Sequence, residues 1–563
     1  MTTIARTTDT LTRDALTVLQ PGFVGTTAPD WLLRRIGEGL TSVGLFGRNI
    51  ATAGQLAALT SQLRSERDDV LVAIDEEGGD VTRLEVRTGS SFPGNLALGS
   101  VDDTDLTRAV AHELGRRLAA CGVDLNWAPS ADVNSNPGNP VIGVRSFGAD
   151  PHLVARHTAA YIEGLQSAGV AACTKHFPGH GDTAVDSHHA LPRIDVDLDT
   201  LHARELVPFR AAIAAGSKSV MSAHILLPAL DPTRPATLSP RVLTGLLREE
   251  LGYDGLIVTD AVEMQAIAST YGIERGSVLA IAAGADALCV GGGLADEDTV
   301  LRLRDALVAA VRDGELPESR LADAAERVRA LASWTRRARG DVAGPGAEIQ
   351  EGTAPGTAMG SDGGAASGFG SGIGSGAGLG SGAASDTGFG SGTDSGSGSG
   401  IGTGSGSGPG PGPGADIGLV AARRALRVTG GALPLAAPPH VAAFTPVANI
   451  AVGDETPWGL AAELVALLPG TSTGTYGPSV DPSSVLAAAG SRRIVAVVRD
   501  EHRHPWMGAT LDALLSARPD TVVVEMGVPQ AAVRGAVHIA THGAARVCGR
   551  AAAEVLSPAP PLP

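Results

Sequence analysis

The sequence of 563 residues is poor in aromatic residues, 3% of the total, and holds only four cysteines. Cys121, Cys173, Cys289 and Cys548 are scattered, without CxxC or metal-type spacing, so the sequence supports neither a disulfide framework nor a zinc site. They read as small buried hydrophobes. A run of about 18 apolar residues, the minimum for a membrane-spanning helix, is missing. The N-terminal stretch MTTIARTTDTLTRDALTVLQPG mixes apolar with polar and charged residues, and it lacks the apolar core of about 7–15 residues that a signal peptide needs. A basic surface is lacking as well: the formal net charge is −17, which disfavours nucleic acid and anionic membrane as partners. A cytoplasmic location and a neutral partner such as a sugar are the expectations left standing.

Glycine, by contrast, is abundant, with 75 residues. Many of them fall between about Gly344 and Gly414, where the chain reduces to Gly, Ser, Ala, Thr and Pro. Such a segment cannot bury enough apolar area to offset its ordering entropy, and reads as a flexible linker with a span of roughly 45 Å. A single core stops growing at about 250–300 residues, so two domains flanking this linker are expected, 12–340 and 417–556.

Before the linker, β-branched runs alternate with Ala/Leu/Arg-rich helical stretches, the pattern of repeated βα units. Eight strands are predicted: LTVLQ from Leu16, SVGLF from Ser42, VLVAID ending at Asp75, VDLNWAP from Val123, VAACTK ending at Lys175, SVMSAH ending at His224, GLIVTD ending at Asp260, and DALCV from Asp286. Polar, Gly-rich loops succeed nearly all of them. The fold class expected is therefore α/β, with an N-terminal (β/α)8 TIM-type barrel whose active site lies at the C-terminal ends of its strands. Beyond the linker, VAAFTP, IVAVV and TVVVEM predict a smaller C-terminal α/β sandwich domain. It has no comparable group of ionisable residues.

Chemistry concentrates in TKHFPGHGDTAVDSHHALP, Thr174–Pro192, where Lys175, His176, His180, Asp182, Asp186, His188 and His189 crowd into one loop. A solvated polar loop or a His/Asp metal site would use the same residues. Cleaving an acetal with retention needs a carboxylate to attack the anomeric carbon and a second group to protonate the leaving oxygen. Asp260, at the end of the seventh strand, suits the nucleophile. His188, with Asp186 two residues before it to orient the ring, suits the acid/base, although by spacing His189 or His180 would serve nearly as well.

The runs LFGRNI, IDEEGG with Arg83 shortly after it, NPGNPVIGVRSFGADP, TKHFPGHGDT with DSH, MSAHI and TDAVEM occur in one chain in this order. Together they resemble the signature segments of the β-N-acetylglucosaminidases of glycoside hydrolase family 3. The resemblance covers roughly 12–335 and, more weakly, the C-terminal part. It implies Asp260 as nucleophile and His188–Asp186 as an acid/base dyad. Asp75 is implied as a ligand of the sugar hydroxyls, Arg83, Arg145, Lys175 and His176 as substrate-binding residues, and His224 as a neighbouring pocket residue. Two positions depart from the family pattern: Asp80 stands where arginine is common, and Ala261 comes after Asp260 where many relatives carry a second aspartate.

The activity expected is that of a retaining exo-β-N-acetylglucosaminidase acting on GlcNAc conjugates, peptidoglycan fragments or chitooligosaccharides, with no metal and no cofactor. A phosphorylase releasing GlcNAc 1-phosphate is the alternative, since a neutral histidine repels phosphate less than a carboxylate would. A non-catalytic carbohydrate-binding barrel is the third reading.

Overall fold

Short runs rich in Val, Ile, Leu and Ala become the strands of the N-terminal part. They are β1 (Leu19–Pro21), β2 (Ser42–Leu45), β3 (Leu71–Ile74), β4 (Leu125–Asn126), β5 (Ala171–Phe177), β6 (Ser219–Ser222), β7 (Leu256–Thr259) and β8 (Leu288–Val290). In this computed structural model the described residues are 9–185, 191–293, 296–342, 417–431, 433–446, 452 and 456–558. The expected linker, 344–414, lies outside them. The described residues before and after it belong to one compact unit.

Strands β2 to β7 keep sequence order in a six-stranded sheet, and β1 pairs with β8. Every pairing is parallel, and a parallel bridge between Val258 and Ala287 links β7 to the segment entering β8. The N-terminal domain is thus a TIM-like parallel arrangement. Its strands are buried throughout, as expected where helices cover a parallel sheet. The first predicted strand needs correction: LTVLQ is divided, because the helix Thr10–Thr17 runs through its first two residues and the strand begins only at Leu19. The helix is capped by Asp9, whose carboxylate accepts from Thr12 N–H at 2.7 Å. Such a cap satisfies a terminal amide and favours helix over strand for Thr10 to Thr17.

Strand side chains alternate between two apolar clusters, as a period of two requires. Val72 and Ile74, with Val220 and Ile257, face the helices. Leu71, Ala73, Ala171, Cys173, Leu256, Val258, Ala287 and Cys289 face one another inside, and Val328, Leu331 and Ala332 of the helix Glu318–Val342 close this inner cluster from below. All four cysteines are buried and unpaired.

The C-terminal part is a mixed α/β sheet of β9 (Arg427–Gly430), β10 (His440–Phe444), β11 (Ser472–Tyr476), β12 (Ile494–Val498), β13 (Val522–Glu525) and β14 (Val537–Ala540). The order is β11-β10-β12-β13-β14-β9, with only β9 antiparallel among the described strands. Val441, Val495 and Val524 pack on one face with the helix Arg546–Leu556, while Ala442, Ala496 and Val523 pack on the other with the helix Pro505–Ala517. No helix of the described residues is long and apolar enough to cross a membrane.

Candidate active site

Three inward rows each end in an ionisable residue. Leu71 and Ala73 lead to Asp75, Ala171 and Cys173 to Lys175, and Leu256 and Val258 to Asp260; the three side chains reach a common cavity of about 500 Å³. A void of this size suits a small organic ligand. Arg83, Arg145, His176 and His180 also line it, and Phe46, Trp127, Met221 and Met264 supply apolar wall.

Lys175 is 2% exposed, and its ammonium bonds both Asp75 and Glu77, the latter at 2.6 Å. The Arg145 guanidinium grips Glu77 with two bonds, Nε to Oε2 at 3.0 Å and Nη2 to Oε1 at 2.7 Å. Arg83 completes the group, reaching Asp75 Oδ2 at 3.3 Å. Burial alone would raise the Glu77 carboxyl, but Arg145 and then Lys175 hold it well below the usual range. Burial likewise pulls Lys175 down, and Asp75 and Glu77 reverse this, so its pKa is raised. The cluster therefore keeps its charges where water is largely excluded, with donors and acceptors in fixed positions for a polyhydroxylated ligand.

A second group orients the histidines. Asp132, wholly buried, accepts from His176 Nδ1 at 2.7 Å and from the backbone N–H of His180 at 2.7 Å. Burial would raise the Asp132 carboxyl; His176 and His180 bring it down to about 2. With Nδ1 held by Asp132, Nε2 of His176 lies 3.4 Å from the Arg145 guanidinium. His180 is also buried, its Nδ1 paired with Thr183 Oγ1 at 3.0 Å. Burial, then the neighbouring His176, lowers its pKa to about 4. A ring that stays neutral at neutral pH is a poor general acid, which counts against His180 in that role. In a histidine-selective NMR titration, the His180 signals should move near pH 4 and stay flat from about pH 6 to 8. Movement between about 6 and 7 would return it to the acid/base candidates.

Asp260 comes directly after β7. Its backbone N–H donates to Ser222 O at 3.1 Å, and its Oδ1 accepts from Ala261 N–H at 2.8 Å, which fixes the carboxylate's orientation. His224 stands beside the cavity. It is 0% exposed and does not line the cavity; its Nδ1 pairs with Thr237 Oγ1 at 2.8 Å and its Nε2 donates to Ala261 O at 3.0 Å. Its physical effect is to hold the peptide after Asp260 from behind. Asp186, His188 and His189 lie outside the described residues.

Glu77, Asp132 and Glu263 belong to the site as well. Glu77 stands in the IDEEGG run, a signal within reach of sequence reading, whereas nothing marks Asp132 in PSADVN. Glu263 lines the cavity, and its Oε1 accepts from Gly291 and Gly293 N–H at 2.8 and 3.2 Å, tying the loop after β8 to the loop that carries Asp260. Among the described residues no group of three or more His, Cys, Asp or Glu is placed to hold a metal ion.

Residues 34–331 match the glycosyl hydrolase family 3 N terminal domain. The chain is 38% identical over 269 residues to a beta-hexosaminidase of Stenotrophomonas maltophilia (strain K279a), a match covering 46% of this chain and 78% of that protein. It is 40% identical over 264 residues to beta-hexosaminidase A of Pseudoalteromonas piscicida, covering 43% of this chain and 44%, less than half, of the relative. Among solved structures, a glycoside hydrolase family 3 beta-N-acetylglucosaminidase from Paenibacillus sp. str. FPU-7 superposes with a TM-score of 0.78 at 32% identity, over 98% of this chain and 97% of that one.

Proposed function

The chain belongs to glycosyl hydrolase family 3, and on that premise we propose that it is a retaining exo-β-N-acetylglucosaminidase, cleaving terminal GlcNAc from peptidoglycan fragments or chitooligosaccharides. One observation carries the reading: Asp260, at the inward end of β7, lines the same cavity as Asp75, Arg83, Arg145, Lys175 and His176. The names of the relatives supply the sugar. On this reading the two parallel ladders close as one (β/α)8 barrel, 12–340, and the second sheet with its two helical layers is an α/β sandwich, 417–556.

Asp75 and the cations around it bind the sugar hydroxyls. The Asp260 carboxylate attacks the anomeric carbon while His188, oriented by Asp186, donates a proton to the leaving oxygen. The bond to the aglycone breaks and an ester bond to Asp260 forms. His188, now neutral, takes a proton from water, which attacks the same carbon and releases GlcNAc with its configuration retained. In the cytoplasmic location expected from the sequence, the substrates would be recycled wall fragments.

Mass spectrometry of the products from an aryl β-GlcNAc, with and without millimolar phosphate, tests the proposal. Free GlcNAc in both buffers is expected. GlcNAc 1-phosphate dominating in phosphate would replace hydrolysis by phosphorolysis, and no product in either would leave only a binding protein.

A further inference from the structure

We infer that Asp80 is a positioning residue: through Arg499 and the Ala544 amide, the C-terminal domain holds the loop after β3 in the conformation that presents Asp75, Glu77 and Arg83 to substrate. The inference rests on the hydrolase reading for its consequence, not for its geometry. Asp80 is one of the two departures from the family pattern. Its carboxylate side chain is 1% exposed, and both oxygens are engaged across the domains: Oδ2 accepts from Arg499 Nη2 at 2.5 Å and Oδ1 from Ala544 N–H at 2.9 Å. An aspartate buried in this way needs partners, and it finds both in the other domain.

The segment between Asp75 and Ser91 has little slack. Glu77 N–H donates to Val81 O at 3.1 Å, and Gly79 adopts φ +64 so close to Gly94 that an added Cβ would meet Gly94 Cα at 2.4 Å. Beneath it, Glu76 Oε2 accepts from the N–H groups of Arg83 and Leu84 at 2.7 and 2.8 Å. Asp80 thus sits three residues from Glu77 and three from Arg83, in a turn whose shape decides where both point. Arg546 adds a bond from Nε to Gly89 O at 3.2 Å further along the same loop.

A second grip lies nearby. His502, three residues after Arg499, bonds Pro137 O through Nε2 at 2.8 Å, in the loop that leads to Val141 and Arg145. Arg145 and Glu77 are themselves paired, so the segment after β12 braces both loops whose charges meet in the cavity. A displacement of about 1 Å in a substrate-positioning group can cost on the order of 10²-fold, so the brace bears on affinity without touching substrate.

Asp80→Asn and Arg499→Gln, singly and together in the full chain, test this. Each single variant should raise KM for an aryl β-GlcNAc about fivefold or more with kcat within about twofold, the signature of lost binding rather than lost chemistry. The double variant should match the singles, since one interaction is removed in all three. Hydrogen exchange of the amides in 77–91 should quicken in every variant, and this readout needs no sugar. An unchanged KM, KM rises that multiply in the double variant, or unchanged exchange each overturns the inference. Lack of turnover by the wild type would overturn the hydrolase reading instead and leave exchange to judge the brace. If Asp80→Asn fails to fold, Arg499→Lys, which keeps the charge and loses the Nη2 donor to Asp80, should show a smaller rise in KM and faster exchange; no change in either is the overturning result.

Discussion

Asp260→Ala should reduce turnover of an aryl β-GlcNAc by about 10³-fold or more, equivalent to about 4 kcal/mol of lost transition-state stabilisation, while the variant still binds GlcNAc. The grounds are positional. Asp260 is the next inward residue after Leu256 and Val258, it enters the cavity at a strand end, and its Oδ1 is aimed by the Ala261 amide. Alanine keeps the backbone bond to Ser222 O and removes the attacking oxygens. Wild type mixed with a slow fluorinated glycoside should gain the mass of one sugar, and the variant should not. Residual turnover within about tenfold of wild type, or a sugar adduct on the variant, would remove Asp260 from the nucleophile's role.

Glu77→Ala should cost about 3–5 kcal/mol of stability in urea unfolding, because it leaves the buried cations of Arg145 and Lys175 without the carboxylate they share. Arg145 is 6% exposed and Lys175 2%, so water cannot replace the lost partner cheaply. The sign with pH comes from the depressed carboxyl. Its contribution is complete above the ordinary glutamate value of 4.5, and is lost as pH falls from there through the lower folded value. The stability gap between wild type and variant should therefore be full at about pH 7 and shrink on acidification below about 4.5. A gap under about 1 kcal/mol at neutral pH, or one that widens in acid, would show that Glu77 is not the counter-ion of this cluster.

Much of this arrangement is legible in the sequence because strands of a buried parallel sheet are written as uninterrupted apolar runs, and in three of them the ionisable residue that ends the run, Asp75, Lys175 or Asp260, lines the cavity. Seven of the eight predicted N-terminal strands coincide with observed ones. The second domain is harder to read. β11, STGTY, and β9, RVTG, are edge strands with much exposed surface, and β14, VHIA, carries a histidine within it, so none presents an apolar run.

The site shows the same division. Asp260 is read from its place at the end of the seventh strand, and Asp75, Lys175, Arg83, Arg145 and His176 from the motifs around them; all six line the cavity. Met221 is the inward residue of β6, and His224, three positions on, lies on the opposite parity, beside the cavity and not among its lining residues. Asp132 is invisible for another reason. A carboxylate that orients a ring from within the core is spelled like one on the surface, and only the fold brings it to His176 and His180.

The inner apolar cluster below the cavity is filled at its lower end by Val328, Leu331 and Ala332. On the proposed exo-hydrolase reading, an oligosaccharide would enter a site floored in this way tip first. The rate on a polymer would then track the number of chain ends rather than the mass of material, and a long chain would shorten one unit at a time with its solution viscosity almost unchanged.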